Sequence, residues 1–265
     1  MAQPKTPKWR QLADRFAAEI RSGERPSGST LPKISDLAAE LGSGSETVRL
    51  AYRALSDEGL VVMSKRGGTR VAETLVKIRR DATFRYSRTA REAAGAHGAF
   101  EAELARLGLA YREARPTRIA REQAPARVAE LLGVDPGEDV LVRDRVMCAD
   151  RAGVRSDRAT VVQLATSYFP GELAFGTQLE ADDTGPGGSK SRLADLGHAQ
   201  TTITEEIDVR APTEAEAGAL RTTADRPVYE ITHIGRTAEG RVVEVAVHVM
   251  PVRLWRLAYT FEVDA

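Results

Sequence analysis

The sequence predicts an α+β protein of two domains, a small helical domain that ends in a β-hairpin and a larger domain whose sheet is mainly antiparallel. Along the 265 residues, apolar positions recur at helical spacing up to about Leu60. From Ala96 onwards, short helices stand between segments in which apolar and polar residues alternate. Residues 1–80 hold 15 Lys and Arg against 9 Asp and Glu, and the remainder holds 23 against 29. We therefore expect only the N-terminal end to meet a polyanion.

The N-terminal segment predicts three helices followed by a hairpin. Apolar faces at helical spacing lie within residues 9–20, 34–41 and 48–55, and Gly42 and Gly59 end the second and third helices. Residues 60–63 and 69–71 alternate as two short strands around a tight basic turn. Three helices and a small hairpin predict a winged helix-turn-helix, a DNA-binding fold.

Residues 31–71 read LPKISDLAAELGSGSETVRLAYRALSDEGLVVMSKRGGTRV. This stretch resembles the DNA-binding domain of the GntR family of bacterial regulators, and the resemblance covers about 65 residues. It rests on Leu31-Pro32, Leu37-Ala38, Leu41-Gly42, Thr47-Val48-Arg49, Glu58-Gly59-Leu60 and Gly68-Thr69. The resemblance implies that the third helix enters the major groove and that the hairpin turn lies along the backbone or in the minor groove.

Two positions depart from the family pattern, because Ser35 and Ser45 stand where relatives usually carry arginine. Recognition of DNA is therefore expected to depend on Thr47, Arg49 and the wing turn. The complete set that we expect at the DNA is Lys33, Ser35, Ser45, Glu46, Thr47, Arg49, Arg53, Lys65, Arg66 and Gly67.

Glu46 has two interpretations. Ser43 and Glu46 have the spacing of a capping box, in which Ser43 is the N-cap and Glu46 reaches back to its N–H. Alternatively, Glu46 accepts a hydrogen bond from a cytosine amino group. Capping is favoured, because a carboxylate also suits the positive end of a helix. Arg49 likewise either contacts DNA or pairs with Glu46 one turn back.

Residues 77–95 are rich in charge and lack a clean period, so they predict a linker between domains 1–76 and 96–265. Within the second domain, we expect helices at 100–107, 125–132 and 213–220, and strands at 140–147, 160–169, 201–209, 228–236, 242–249 and 258–263.

The second domain also resembles a known module. The motifs that carry the resemblance are Val142-Arg143-Asp144-Arg145, Thr166-Ser167-Tyr168-Phe169-Pro170, Arg210-Ala211-Pro212-Thr213, Arg226-Pro227-Val228 and Gly240-Arg241-Val242-Val243-Glu244. They are similar to the UTRA domain, which binds small molecules and has a fold related to chorismate lyase. Together the two resemblances identify the chain as a member of the HutC subfamily of GntR regulators, and residues 183–197 are similar to actinobacterial members.

The resemblance implies an effector site in a cleft of the sheet. Arg143 and Arg145 lie two apart on a strand, so both point to one face and suit a phosphate or carboxylate. An anionic effector is therefore expected, although an outward charged face is the alternative. Glu244 matches a family position that contacts polar groups of the effector, and its alternative is a surface carboxylate between two valines. Tyr168 would either close the pocket or pack against neighbours.

The glycine-rich run 183–189 lacks the Gly-Lys-Ser/Thr ending of a phosphate-binding loop. We expect it to be a mobile loop over the cleft. Lys190 and Arg192, which follow it, would then contact a ligand when the loop closes.

These features predict a sequence-specific DNA-binding transcriptional regulator, a repressor released by a small-molecule effector. We expect a homodimer that binds a palindromic operator. A cytoplasmic location is expected, because no run of about 18 apolar residues exists and the N-terminus lacks the apolar stretch of a secretory signal. The single cysteine, Cys148, is expected to be a buried hydrophobic residue.

The alternative functions are a second domain that serves dimerisation only, with no ligand, and a chorismate lyase-like enzyme. Catalysis is disfavoured because no Ser/His/Asp set is recognisable. No metal or other cofactor is expected, since His97, His198, His233 and His248 lack the spacing of a metal site.

Overall fold

The computed structural model describes residues 6–22, 24–26, 28–58, 60–64, 67–72, 77–87, 98–151 and 160–262. The chain divides into two compact units, Met1–Val76 and Lys77–Ala265.

The first unit is the winged helix-turn-helix that the sequence predicts. Its helices are α1 (Lys8–Ser22), α2 (Ile34–Glu40) and α3 (Ser45–Asp57), and β1 (Val61–Ser64) pairs with β2 (Gly68–Val71) as an antiparallel hairpin. Phe16 and Tyr52 meet edge to face in its core, with ring centroids 5.9 Å apart. The Tyr52 hydroxyl donates to the carbonyl of Pro32 at 2.9 Å. Tyr52 therefore joins α1, α3 and the start of α2, and does not stack on bases.

The second unit contains a seven-stranded antiparallel sheet. Its strands are β4 (Leu109–Glu113), β5 (Arg118–Gln123), β6 (Asp139–Arg151), β7 (Thr160–Pro170), β8 (Thr202–Arg210), β9 (Val228–Arg236) and β10 (Val242–Pro251). The order is β4-β6-β7-β10-β9-β8. Because β6 is 13 residues long, its first half pairs with β5 and its second half with β4. The predicted antiparallel sheet is confirmed, and β4 and β5 are additions to it.

Residues 77–87 were predicted to be a linker, but they form regular secondary structure. They contain β3 (Ile78–Asp81), which pairs in parallel with β11 (Trp255–Ala258), and α4 (Ala82–Tyr86). Ile78 is buried, and the charge of Arg80 is buried and paired with Glu205. The pair with β11 also shows that the last strand lies earlier than the predicted 258–263. Residues 88–97, the remainder of the predicted linker and His97, lie outside the described residues.

Helices cover the two faces of the sheet. They are α5 (Ala99–Arg106), α6 (Ala126–Leu132), α7 (Gly171–Ala174), α8 (Gly188–Asp195) and α9 (Glu214–Leu220). On one face, Leu132 of α6 and Leu220 of α9 pack in two apolar clusters with the even-numbered residues of β6, such as Val142 and Val146. The odd-numbered residues of β6 therefore point to the opposite face, which holds the cavity described below.

The glycine-rich run and Cys148 can now be compared with their predicted structures. The glycine-rich run was expected to be a loop up to residue 189, but Gly188 and Ser189 already form the first turn of α8. Cys148 is a buried free cysteine, as predicted. Among the described residues, no helix is long and apolar enough to cross a membrane.

Candidate DNA interface and ligand cavity

The exposed side of α3 carries the predicted DNA-contacting residues. Ser45, Glu46, Arg49 and Arg53 are exposed, and Thr47 is half-buried. Positions 45, 49 and 53 are four apart, so they form one stripe along the helix. The buried side is apolar and packs into the core of the unit. The helix therefore presents a polar, cationic edge, as a major-groove reader requires.

The predicted capping box is wrong. The N-cap of α3 is Gly44, which has no side chain to accept a capping hydrogen bond, and the Ser43 hydroxyl is buried without a partner among the described residues. Because the helix begins at Ser45, Glu46 occupies the second helical position and not the third. Its carboxylate pairs instead with Arg49, at 2.6 Å between Oε2 and Nη1. The pairing that was the alternative for Arg49 is thus the one in the structure.

The other predicted DNA contacts lie at the start of α2 and in the wing. Lys33 is the exposed N-cap residue of α2, and the exposed Ser35 donates to Asp36 at 2.8 Å. In the wing, the N–H of Gly67 donates to the Ser64 hydroxyl at 3.1 Å. Lys65 and Arg66 lie outside the described residues.

The second unit contains a cavity of about 420 Å³ on the sheet face opposite α6 and α9. This volume suits a small metabolite. The sheet contributes Arg143, Arg145, Ser167 and Glu244 to its lining, and residues 98–101, 182–184 and 187–190 contribute other walls. Two small buried residues, Ala165 and Ala246, lie between the charged groups on the floor and leave the space open.

Arg143 and Arg145 both line the cavity, so they share one face. Arg143 is buried, and its guanidinium donates to the carbonyls of Leu179 and Ala181 at 2.6 and 2.5 Å and to that of Asp182 at 3.0 Å. Arg145 donates to the Ser167 hydroxyl at 2.7 Å. Neither guanidinium forms an ion pair with a carboxylate of the described residues, and the Nε atom of each is buried without a partner there.

The electrostatics of this pair follow from that geometry. Burial, and then the neighbouring charge of Arg145, lower the pKa of Arg143 to about 10, against a weaker opposing effect of Glu113, Asp182 and Asp183. A guanidinium whose pKa falls is one whose charge is poorly compensated. Burial therefore costs the charge of Arg143 more than the nearby carboxylates compensate.

Glu244 stands on the opposite side of the floor. The pairing of β10 with β9 is irregular between Val242 and Glu244, as in a β-bulge. The irregularity lets Val243 join an apolar cluster on the cavity face while Glu244 lines the cavity next to it. Simple alternation would have separated the two, so the surface alternative for Glu244 does not hold.

A buried polar cluster surrounds Glu244. Lys190 Nζ lies 2.9 Å from Glu244 Oε2 and 2.7 Å from Gln200 Oε1, and Gln200 Nε2 donates to Glu244 at 2.7 Å. Gly235 makes room for Gln200, because a Cβ there would lie 2.5 Å from its amide carbon. Burial alone would raise the pKa of Glu244, but the charge of Lys190 and the hydrogen bonds from Gln200 and Lys190 outweigh it and hold the pKa far below its usual range.

His233 extends this cluster towards α4. Lys190 Nζ donates to His233 Nε2 at 2.9 Å, so Nε2 accepts and the ring proton resides on Nδ1. His233 Nδ1 then donates to the hydroxyl of Tyr86 at 3.1 Å. Burial, together with the charge of Lys190, lowers the pKa of His233 to about 3, so the ring is neutral at physiological pH.

The chain of hydrogen bonds ends at a buried ion pair. The Tyr86 hydroxyl donates to Glu205 on β8, and Arg80 on β3 binds both carboxylate oxygens of Glu205 and donates to Tyr86 at 3.0 Å. One continuous path therefore runs from Lys190 in the cavity, through His233, Tyr86 and Glu205, to Arg80.

Two predicted effector residues do not line the cavity. Tyr168 lies on the other face of the sheet, paired with Val142 and Val245, and packs in the cluster beneath α6. Its even-numbered position on β7 explains this, because Ser167 next to it faces the cavity. Arg192 points away as well, and pairs with Asp195 at 2.8 Å.

Sequence reasoning missed several cavity residues on described elements, among them Tyr86, Gln163 and His248. Strand alternation would have found Gln163, since it lies two and four positions before Ala165 and Ser167. Tyr86 gave no such signal, because it falls in the segment that was predicted as a linker.

Comparisons with known proteins agree with this architecture. Residues 8–71 match the gntR family of bacterial regulatory proteins, and residues 113–253 match the UTRA domain. An HTH-type transcriptional regulator of Streptomyces coelicolor is 38% identical over 265 residues, 98% of this chain and 94% of the relative. The crystal structure of PhnF from Mycobacterium smegmatis has a similar fold, with a TM-score of 0.58 and 21% identity over 96% of this chain and 100% of that one.

A further relative is the mannosyl-D-glycerate transport/metabolism system repressor MngR of Escherichia coli. It is 39% identical over 70 residues, which cover 26% of this chain and 29% of the relative.

A winged helix-turn-helix joined to a sheet domain with a metabolite-sized cavity defines the class of DNA-binding transcriptional regulators with a UTRA effector-binding domain. The chain belongs to the GntR family of bacterial regulators, and its domain pair is that of the predicted HutC subfamily. Its relatives are transcriptional regulators and not enzymes, which agrees with the sequence prediction.

Proposed function

We propose that this regulator is a homodimeric repressor that an anionic small molecule releases from a palindromic operator. The observation that carries the proposal is the pair Arg143 and Arg145, two cations on the floor of a 420 Å³ cavity with no carboxylate partner among the described residues. An uncompensated buried charge is costly, and a bound anion removes that cost.

The geometry favours a phosphate or carboxylate as the anion. Guanidinium groups bind such groups through two parallel hydrogen bonds, and the Nε–H of Arg145 has no partner among the described residues. The Ser167 hydroxyl, which already contacts Arg145, lies next to it and also lines the cavity. Lys190 is a further cation of the cavity wall, and it pairs with Glu244.

The path from Lys190 to Arg80 is the proposed route to the DNA-binding unit. A ligand that accepts a hydrogen bond from Lys190 takes this lysine away from His233. The loss changes the donors that are available to Tyr86 and Glu205. Arg80, at the end of the path, lies on β3, the first described strand after Val76. Ligand binding therefore has a means of shifting the balance between two placements of this strand.

Repression and dimerisation have separate support. The repressor MngR is 39% identical to this chain over 70 residues. Winged helices bind as pairs to two half-sites, so a two-fold dimer reads a palindrome. A second copy has an available surface at β8, an edge of the sheet where Ile207 and Val209 are 38% and 61% exposed. The proposed DNA contacts are those of α3, α2 and the wing given above, with Arg49 and Arg53 on the exposed stripe.

The proposal is tested by a thermal-shift screen of phosphorylated and carboxylated metabolites on the full-length protein, with operator release followed by fluorescence anisotropy. A footprint upstream of the protein's own gene supplies the operator. A true effector raises the melting temperature and releases DNA. Arg145→Met is expected to weaken it by roughly 10–100-fold, because a charge-assisted hydrogen bond contributes about 1.5–3 kcal/mol.

Two controls separate charge from shape. Arg121→Met removes an exposed arginine whose partner is Glu180, outside the cavity, and is expected to bind the effector normally. Ala165→Leu fills the floor without changing charge, and is expected to abolish binding. If no anion both stabilises the protein and releases DNA, the ligand proposal fails and the dimerisation-only alternative takes its place. Turnover of a bound compound would revive the enzyme alternative.

A further inference from the structure

Gln163 on β7 has a feature that the anion proposal does not use. Its side chain is 1% exposed and lines the cavity, but its Oε1 atom has no hydrogen-bond partner among the described residues. Buried amide oxygens in folded proteins are nearly always satisfied, so an unsatisfied one needs an explanation.

The orientation of this amide is fixed by its neighbours. Gln163 Nε2 lies 3.0 Å from His248 Nδ1 and 3.3 Å from the Sδ atom of Met147. A thioether accepts weakly and never donates, so the NH₂ group and not the oxygen must face it. Burial lowers the pKa of His248 well below its ordinary value, so the ring is neutral and its Nδ1 can accept. The oxygen of Gln163 is therefore held as a free acceptor.

The position of this acceptor relative to the arginines follows from strand register. Arg145 pairs with Ala165, and Met147 pairs with Gln163, so the acceptor lies one row further along the sheet face. Two residues of a strand span about 7 Å. Ala165, a small buried residue in the row of Arg145, lies two positions from Gln163 on the same strand and leaves room for a ligand at this part of the floor.

We infer that Gln163 is a specificity-determining residue that accepts a hydrogen bond from a hydroxyl group of the effector, about 7 Å from the anion that Arg143 and Arg145 bind. The effector class is thus a hydroxylated phosphate or carboxylate, and not a plain alkyl anion. A hydroxyl is favoured over an ammonium group because the amide of Gln163 and the ring that contacts it, His248, are both neutral. This inference rests on the anion proposal and deepens it.

The test uses three probes on the full-length protein by titration calorimetry: 4-hydroxybutyl phosphate, butyl phosphate and 4-aminobutyl phosphate. Wild type is expected to bind the hydroxyl compound roughly tenfold tighter than the alkyl compound, since the alkyl chain leaves the amide oxygen unsatisfied. In Gln163→Leu, this preference is expected to vanish while the affinity for butyl phosphate stays or rises. Gln123→Leu, an exposed glutamine on β5, is the matched control and is expected to keep the preference.

Each result decides between the claims. Equal binding of the hydroxyl and alkyl compounds by wild type overturns the inference and leaves the anion proposal standing. The inference is also overturned, and the anion proposal left standing, if Gln163→Leu keeps the preference for the hydroxyl compound or if wild type clearly prefers the amino compound. If no probe binds wild type, the anion proposal fails and takes the inference with it. Gln163→Met, which keeps an unbranched side chain of similar length, replaces the leucine variant should that variant fail to fold.

Discussion

Loss of Arg80 should destabilise the second unit far more than loss of the whole Arg80–Glu205 pair. The side chains of Arg80 and Glu205 are 1% and 6% exposed. Breaking a buried ion pair by removing one partner typically costs about 3–5 kcal/mol, because the other charge stays buried and uncompensated. Arg80→Met is expected to cost this much, and the double variant Arg80→Met/Glu205→Gln is expected to recover most of it.

The pKa of Glu205 gives an independent measure of the same interaction. Burial alone would raise this pKa, but hydrogen bonds from Arg80, Tyr86 and Tyr259 outweigh it and lower the pKa from 4.5 to about 2. At about 1.4 kcal/mol for each pH unit, the shift corresponds to about 3 kcal/mol of stability. A depressed carboxyl pKa stabilises the fold above the unfolded pKa. The contribution is therefore complete above about pH 4.5 and is lost as the pH falls towards about 2.

The assay is urea denaturation followed by tryptophan fluorescence. The chain has two tryptophans, Trp9 and Trp255, and Trp255 is buried in the second unit. A Trp9→Phe background therefore reports the second unit alone. The free-energy difference between wild type and Glu205→Gln is expected to be largest near neutral pH and to shrink below about pH 4.

A neighbouring arginine serves as the control. Arg79 also lies on β3, but its side chain is 50% exposed and pairs with Asp81. Arg79→Met is expected to cost less than about 1 kcal/mol, as exposed ion pairs do. The reasoning is refuted if Arg80→Met is no more destabilising than Arg79→Met, or if the double variant is no more stable than Arg80→Met.

Two further predictions concern DNA binding. Glu46→Ala is expected to release Arg49, raise DNA affinity and steepen the salt dependence by about one phosphate contact, with a stability change within about 0.5 kcal/mol. Anisotropy titrations at several salt concentrations measure this. An equal gain in DNA affinity in the exposed Glu40→Ala variant would show that the effect comes from net charge and not from the release of Arg49. Tyr86→Phe is expected to leave effector affinity within about threefold but to weaken effector-driven operator release, because the path through Glu205 is cut. Unchanged release in this variant, with binding intact, would exclude the path.

The sequence predicted those elements whose stability depends on a regular local pattern. The strand at 228–236 lies where alternation places it, and α1 to α3 follow from apolar faces at helical spacing. It missed β4 and β5, whose residues are half-buried or exposed, so no fully buried apolar positions mark them as strands. The segment 77–87 was read as a linker for a different reason. Arg80 is compensated by Glu205, 125 residues away, and no local pattern contains that partner.

Individual site residues were likewise predictable only where a regular local pattern places them. Arg143 and Arg145 were placed on one face by strand period alone, and the structure puts both at the cavity. Glu244 could not be placed this way, because the irregular pairing before it changes the phase of β10. The start of α3 depended on one residue: a helix that began one position earlier would have made Ser43 a cap. Such one-residue shifts lie below what pattern and propensity can resolve.

The polarity of the hydrogen-bond path would allow one set of residues both to bind the proposed effector and to pass the signal on. A lysine ammonium only donates, so Lys190 forces Nε2 of His233 to accept and Nδ1 to donate, and Tyr86 in turn donates to Glu205. Because His233 is held neutral, it has one proton, and that proton cannot serve both neighbours. A ligand that withdraws Lys190 therefore leaves His233 Nε2 unsatisfied and frees the ring to change tautomer. That change would remove the donor to Tyr86 and weaken the hold of β8 on Arg80. In this proposal, the positions of the protons along the hydrogen-bond path connect the cavity to β3.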